Sequence, residues 1–503
     1  MKNFIIKIIK KDIDKGLSKK KIRFRFAPEP NGFLHIGHVK AIYLNFKLAK
    51  FFNSPIILRF DDTNPKTSNL FFVKKIIENI KWLGFKWNKL SFTSDYFDIL
   101  YKLAKKLIKK KKAYIQYKKN NKIINFKNIE KNLFYFKNMK KGKYNENKYV
   151  LRAKINLKSS NYHLKDPVMY RIIKKKHFKT LNKWCIFPTY DWAHGQTDYI
   201  EKISHSLCSI EFENHRPLYN WFLKYIYSSN FNNLKPKQIE FARLNFFDSI
   251  TSKRKLIFLK KKQIIKNFSD IRLSTIDSFK KKGYKPIFLK NFIKNLGYTK
   301  RNINISIEKL NSFIKKYLIK KSDILMVILN PIKLIITNFK KKIKWIFTKD
   351  KKYKIPFTKI IFIEKEDFKE KHDKNFYRLS FKNYVRLKFS YIIKAYKIIK
   401  NKKKIIKILC KIYKKKKKKK IKSTIQWVSN FFKKKINIIN YKYIFFKKNK
   451  IYNINSIKKK KGIINLDHKF LKKKKIYQFL RIGFFYLYKK KNFLKIFYFK
   501  KKY

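Results

Sequence analysis

Between Ile22 and Phe26 apolar and basic residues alternate, and this period of two predicts a short strand. A Pro-rich turn follows, and from about Gly37 to Phe51 the apolar positions recur at helical spacing. Pro55 to Phe60 predicts a second strand, which runs into Asp61-Asp62-Thr63-Asn64-Pro65. Strand, turn, helix, strand is how a doubly wound α/β sheet opens, and such sheets take ligands at the carboxyl ends of their strands. Arg25, His35, His38 and Asp61 all fall at such ends.

Further along, Phe71 to Leu83 predicts a helix stopped by Gly84, and Ser94 or Asp95 caps another that runs to about Lys112. Residues 113–187 mix short strands and helices, as an inserted domain does. Tyr190 to Glu213 is dense in polar and aromatic residues, followed by a helix Arg216 to Ile226, a strand Gln238 to Leu244 and a basic loop Thr251-Ser252-Lys253-Arg254-Lys255. Residues 256–320 read as helical, punctuated by Gly283 and Gly297. From about Ile324 short apolar runs (Val327 to Ile336, Ile360 to Ile363, Tyr384 to Leu387, Ile425 to Val428) alternate with basic turns, the pattern of β-barrels. Residues 1–21 alternate Ile with Lys and predict a short helix or an arm. The seven lysines Lys414 to Lys420 predict an exposed loop.

Composition changes this picture in one respect. The 503 residues carry a formal charge of +103, from 132 Lys+Arg against 29 Asp+Glu, and such a surface attracts polyanions through counterion release. However, Lys, Ile, Asn, Phe and Tyr dominate together, and all five have A/T-rich codons, so mutational bias accounts for the charge as well as nucleic-acid binding does. The position of the acids says more. Eighteen of them lie in residues 1–250, and after Asp373 only Asp467 remains, so those kept inside the motifs are expected to have roles. The three cysteines lack CxxC spacing, which predicts neither disulfides nor a zinc knuckle and fits a reducing cytoplasm. Met1 to Lys20 has no apolar run of signal-peptide type, and no stretch is long and apolar enough for a membrane span.

Two imidazoles one helical turn apart at a helix start, His35 and His38, sit where backbone N–H groups and the helix dipole already favour phosphate. Their hydrogen bonds would strengthen as charge develops on an α-phosphate, and Gly37 would let a flat base or a phosphate approach. Taken alone, the same turn is two ordinary polar residues. No third metal ligand stands nearby. Arg25 and Asp61 are an opposite-charge pair suited to a zwitterion, or to a salt bridge within the sheet. Thr251 to Lys255 alone is a basic loop.

Together these stretches resemble the class I aminoacyl-tRNA synthetases of the glutamyl and glutaminyl group. Arg25 to His38 is similar to the first signature, Thr251 to Lys255 to the second, and Leu58 to Pro65 to the string between them; Pro28-Glu29-Pro30-Asn31-Gly32 is similar to the glutaminyl form. Counterparts extend through Asn330-Pro331-Ile332-Lys333-Leu334 to Gln426-Trp427-Val428-Ser429, so that the resemblance covers nearly the whole chain and weakens in 113–130 and after about 430. The resemblance implies an α/β plus β architecture: a Rossmann-type catalytic domain in two halves (22–95 and 190–255), an inserted acceptor-binding domain (96–189), a helical subdomain (256–323) and C-terminal β-barrel anticodon-binding domains (324–503), preceded by an N-terminal arm (1–21).

It also implies roles. His35, His38 and Lys253 would be catalytic. ATP would be held by Glu29, Pro30, Asn31, His35, Ile36, Gly37, His38, Val39, Lys40, Ala41, Ser209, Arg243, Leu244, Thr251, Ser252 and Lys253. Glutamine would be held by Arg25, Asp61, Tyr190, Cys208, Phe212 and Gln238, with Tyr190 on the side-chain amide, and anticodon bases would be read by Arg378, Arg386 and Lys388. The expected reaction is ATP-dependent activation of L-glutamine and its transfer to tRNA(Gln), with Mg2+ accompanying ATP, no structural metal, and a cytoplasmic monomer without membrane contact. Two departures stand out: Thr251 replaces a usual Met, and the insertion near Gln116 is short. The alternatives are a glutamyl-tRNA synthetase, a non-catalytic RNA-binding protein with the same fold, and a nucleotidyltransferase with a similar turn.

Overall fold

The computed structural model describes residues 3–119, 122–227, 235–246, 250, 253–347, 354–371, 373, 375–402, 404–413, 421, 423–442, 444–445, 452–453, 456–465, 471–489 and 492–498. Two compact units divide the chain. One comprises Met1–Ser269, Ser274–Asp277 and Lys285–Ser306, and the other Asp270–Leu273, Ser278–Tyr284 and Ile307–Tyr503.

In the first unit the opening residues form α1 (Phe4–Asp14), capped by the Asn3 side chain. Ile5, Ile6 and Ile9 are buried on one face, each contributing about 1.5–3 kcal/mol of hydrophobic stabilisation. Strands β1 (Phe24–Phe26), β2 (Ile56–Phe60) and β3 (Lys89–Phe92) pair in parallel, connected by α2 (Ile36–Phe51) and α3 (Leu70–Trp82). Every residue of β1 and β2 is buried, as strands covered on both faces must be. Helix α3 ends through Gly84 at φ +77°, a left-handed value that glycine adopts without penalty, while Phe85 N donates to the Ile80 carbonyl.

The second half of this sheet arrives after an insertion. Helix α4 (Phe97–Lys109) leads into five antiparallel strands, β4 (Ala113–Lys119), β5 (Lys122–Asn125), β6 (Tyr149–Ala153), β7 (Val168–Ile172) and β8 (Ile186–Pro188), in the order β5-β4-β6-β7-β8, with α5 (Ile129–Lys140) between β5 and β6. Leu100, Leu107, Phe136, Leu151 and Phe187 belong to its core. Helix α6 (Tyr190–Ile200), β9 (His205–Ser209), α7 (Arg216–Ile226) and β10 (Lys237–Phe241) follow, and β9 and β10 pair in parallel. Ser204 N donates to the Arg23 carbonyl at 3.1 Å, which brings β9 alongside β1. The parallel order is therefore β3-β2-β1 and then β9-β10, with the switch point between β1 and β9, where such sheets bind ligands.

The single strand expected from Gln238 to Leu244 is two. After β10 the chain leaves β9, and β11 (Leu244–Phe246) pairs instead with Ile303–Ile305. At the break Ala242 N donates to the Thr299 carbonyl and Arg243 N to Asn302 Oδ1. Helix α8 (Lys253–Lys261) follows.

The second unit holds two seven-stranded sheets. One begins and ends with Asp323–Leu325 and Val327–Ile328, separated in sequence only by Met326; the other is bounded by Thr424–Ile425 and Val428–Ser429, separated by Gln426 and Trp427. Edge strands that are neighbours in sequence curl each sheet back on itself, which gives the barrel form. Val327, Ile436, Phe479 and Phe493 fill one core, and Leu334, Ile361, Ile393 and Trp427 the other.

Candidate active site

Strands β1 and β2 each carry an arginine, Arg25 and Arg59, that is buried within the sheet and needs a counter-charge. Helix α6 supplies it. Asp198 Oδ1 lies 2.6 Å from Arg59 Nη2 and 3.2 Å from Arg25 Nε, and Glu201 Oε2 lies 2.7 Å from Arg59 Nη1. Arg25 also donates to Ser206 Oγ at 2.6 Å and to the Leu207 carbonyl at 3.0 Å, while Ser206 Oγ and the Tyr219 hydroxyl donate to Asp198 Oδ2. Burial opposes ionisation of Asp198, but Arg25, His194 and Arg59 outweigh it and hold the carboxyl far below the usual range. Of the two readings of Arg25 and Asp61, the salt bridge within the sheet is not formed: the carboxylate on Arg25 is Asp198, at a sequence separation of 173 residues.

Asp61 instead faces the cavity. It accepts only a long bond, 3.4 Å, from Thr63 N, and among the described residues no lysine or arginine pairs with it. Burial pushes its carboxyl up to about 6. A charge held so poorly by the protein is ready to take an ammonium ion.

At the start of α2 the two histidines cap the helix reciprocally. Gly37 N donates to His35 Nδ1, and His35 N donates to His38 Nδ1, both at 3.1 Å. Accepting at Nδ1 leaves the proton on Nε2. Burial and then Arg243 push His38 down to about 4, and burial, His38 and Arg243 push His35 well below its ordinary value. Both are neutral imidazoles with one N–H free to donate. Gly37 has a reason the sequence did not reveal: a Cβ there would lie 2.9 Å from the Leu244 carbonyl and 2.9 Å from the His35 ring, so it is the packing of α2 on β11 that requires glycine.

A cavity of about 550 Å3 lies over the switch point and brings together Arg25, Glu29, His35, Gly37, His38, Ala41, Asp61, Tyr190, Cys208, Ser209, Phe212 and Arg243. A smaller one of about 230 Å3 continues past Glu29, Asn31, His35 and His38 to Leu256 and Ile257 of α8. Tyr190 stacks on His194 with ring centroids 4.9 Å apart. Its hydroxyl bonds no described residue, and burial raises its pKa well above 10, so it presents a neutral phenol.

Some expected residues do not line either space. Ile36, Val39 and Leu244 are core side chains, and Pro30 is buried in the turn. Lys40 is buried and donates to the Ala242 carbonyl at 2.6 Å; it ties α2 to the β10–β11 break. Gln238 lies behind the wall, where Nε2 donates to the Phe212 carbonyl and to Glu240 Oε1, both at 3.0 Å, so it positions Phe212. Thr251 and Ser252 lie outside the described residues; Lys253 begins α8, one turn before Leu256 and Ile257, and its side chain is outside them too. In the second unit Arg378 is paired with Asp367 at 3.0 Å, Lys388 Nζ stands 4.9 Å from the centre of the Phe389 ring, and Arg386 is exposed on its strand.

The sequence reading missed Asn45, Thr63, Arg171 and Glu211, which line the larger cavity, and the network of His194, Asp198 and Ser206 beneath it. The one available signal was the spacing of Asp191, His194 and Asp198 on α6, acids and a histidine retained at helical intervals in an acid-poor chain.

Comparison with known proteins adds to this geometry. The catalytic-domain model of the class I tRNA synthetases (E and Q) matches residues 21–320, and two anticodon-binding-domain models of the same class match residues 325–413 and 424–488. The chain belongs to the class I tRNA synthetases of the E and Q group. Within that group it is 43% identical over 433 residues to a glutamine–tRNA ligase of Buchnera aphidicola subsp. Schizaphis graminum (strain Sg), covering 81% of this chain and 76% of that protein. It is 39% identical over 478 residues to a glutamine–tRNA ligase of Rhodopirellula baltica, covering 89% and 78%, and 42% identical over 422 residues to one of Clostridioides difficile, covering 79% and 75%. The first unit's doubly wound sheet and insertion are therefore the catalytic body of a synthetase, and the two barrels fall in its anticodon-binding region. No described helix is long and apolar enough to cross a membrane.

Proposed function

We infer that this synthetase is a glutamine–tRNA ligase. The observation that carries the reading is the extended identity to glutamine–tRNA ligases, 39% over 89% of the chain in one case. The cavity supports it physically. Tyr190 offers a neutral hydroxyl that can accept from a side-chain amide, and the charge of Arg25 below it is taken up by Asp198. A buried neutral group of this kind satisfies an amide, whereas the carboxylate analogue would have to bring its charge out of water.

In the reaction, the α-carboxylate of glutamine attacks the α-phosphorus of ATP and pyrophosphate leaves, giving the aminoacyl adenylate. Asp61 holds the α-ammonium. His35 and His38 donate their Nε2 protons to phosphate oxygens as charge develops, an interaction stronger in the transition state than in the substrate. Glu29 and Asn31 border the ribose and Arg243 the adenine, with Lys253 approaching the leaving pyrophosphate. Mg2+ accompanies the triphosphate and screens its charge. A terminal ribose hydroxyl of tRNA then attacks the adenylate carbonyl and AMP leaves. Neither histidine is placed to act as a base in this step, since Nδ1 of each accepts a backbone N–H and Nε2 carries the proton.

The test is aminoacylation of mixed tRNA with labelled amino acids, together with ATP–pyrophosphate exchange in the presence of tRNA. Glutamine is expected to support both reactions. Faster exchange with glutamate would overturn the assignment in favour of the glutamyl reading, and no exchange at all would leave an RNA-binding protein.

A further inference from the structure

Beyond the cavity, three metal-ligating side chains from three separate elements of the first unit converge. His163 sits in the single 3-10 turn Tyr162–Leu164 of the insertion, Asp191 in the first turn of α6, and His215 at the end of the 3-10 segment Ile210–His215 that opens α7. One ligand atom from each lies within 4.8 Å of those of the others. His215 Nδ1 is 2.6 Å from Asp191 Oδ1, and the His163 and His215 rings overlap with centroids 3.6 Å apart. Asn161 fixes the two loops together: its Oδ1 accepts from His163 N, and its Nδ2 donates to the Asn214 carbonyl at 2.8 Å. The Asp191 and His215 side chains are 27% and 23% exposed, so the cluster is half sheltered but open to an ion.

We propose that His163, Asp191 and His215 bind a divalent transition-metal ion of the zinc class. Two imidazoles and one carboxylate are a donor set that suits zinc, and water would complete a tetrahedral shell. Donors at about 2.0–2.1 Å from such an ion stand roughly 3.4 Å apart, so rotation of the His163 ring on its loop closes the set. In the metal-free arrangement His215 Nδ1–H donates to Asp191 Oδ1; on binding, the ion takes the place of that proton, which passes to Nε2 or to solvent. An ion here would join the insertion to the starts of α6 and α7, beside Tyr190 and Phe212. No structural metal was expected from the cysteine spacing or the resemblance, and these three ligands are spread over some fifty residues without forming a short motif.

The experiment uses the full chain, stripped with chelator and dialysed against Zn2+ alone, with Co2+ as a spectroscopic probe. The expected result is one Zn2+ per chain, visible absorption bands of tetrahedral Co2+, and a loss of affinity of about 100-fold or more in His163→Ala. The His163 ring meets Tyr162 edge-on and His215 at a tilt and makes no hydrogen bond among the described residues, so this variant leaves the Asp191–His215 contact in place. A Cys185→Ser chain is expected to bind as the parent does. No stoichiometric uptake by the parent, or parent-like affinity in His163→Ala or in His215→Ala, would overturn the site.

Discussion

Arg25 Nε and Asp198 Oδ1 lie 3.2 Å apart with both side chains almost wholly buried, and the same oxygen takes Arg59 at 2.6 Å. One carboxylate from α6 therefore balances two arginines from adjacent strands. Removing it strands buried positive charge, so Asp198→Asn is expected to cost about 3–5 kcal/mol, read as a lower urea midpoint at pH 7. The pH dependence has a definite sign. Because the folded pKa is depressed, the contribution is present above the unfolded carboxylate value of about 3.9, and is lost as pH falls from there toward the folded value. The gap between parent and variant should narrow only in strong acid; a gap under about 1 kcal/mol at pH 7 would contradict the network.

His38 does two separable things. Its Nδ1 accepts from His35 N, and its Nε2–H is free for phosphate. His38→Asn places an acceptor near the position of Nδ1 and deletes the far donor, so glutamine activation should fall about 100–1000-fold with little change in stability. His38→Gln does the reverse, keeping a distal N–H and losing the cap, at about 1 kcal/mol. Equal loss of activity in both would mean that the ring acts by shape alone. Pre-steady-state adenylate formation and thermal unfolding, measured on the two variants together, separate the cases.

How much of this was legible depended on sequence distance. The strand ending at Phe26, the helix to Phe51 and the helix Arg216–Ile226 are local patterns, and they stand where the periodicity put them. Asp61, Tyr190 and Cys208 line one cavity, although more than a hundred residues separate Asp61 from the other two. What was not legible is partner choice. Arg25 had three nearby acids in sequence and a fourth, Asp198, far along the chain that claims it, because only the folded sheet brings α6 beneath β1. Gln238 and Lys40 were read as ligand contacts, yet their amide and ammonium groups satisfy backbone carbonyls inside the protein. Barrel closure at Met326 likewise rests on pairing between distant strands, which no local period encodes.

Gly37→Ala tests the packing claim. In a helix this change ordinarily stabilises by about 0.5–1 kcal/mol, since alanine loses less entropy. Here the new methyl would meet the backbone carbonyl of Leu244 at 2.9 Å, and a backbone atom held in a parallel strand pair cannot simply turn aside. The expected sign is therefore reversed, with a loss of about 1–3 kcal/mol in chemical unfolding. Weaker ATP binding should accompany it, because the shift moves the His35 ring as well. A stabilised variant with unchanged ATP affinity would show that α2 has room to move.

Asp61 gives the pH profile its acid limb. Burial raises its carboxyl to about 6, first by desolvation and further through Glu29 and Asp62, so between about pH 5 and 6 the free enzyme increasingly holds it protonated. An α-ammonium binds the ionised form, and glutamine affinity should accordingly fall about tenfold for each pH unit below 6. His38 titrates near 4, too low to produce this limb. Asp62 is also raised to about 6, but its oxygens are occupied by Ser94 N and Ser94 Oγ. Asp61→Asn separates the two: it should weaken glutamine binding about 10–100-fold at pH 7.5 by removing a charge-assisted bond, and flatten the acid limb. If the limb persists in Asp61→Asn at reduced affinity, the titrating group is Asp62 acting through the fold, and the ammonium contact assigned to Asp61 does not set the profile.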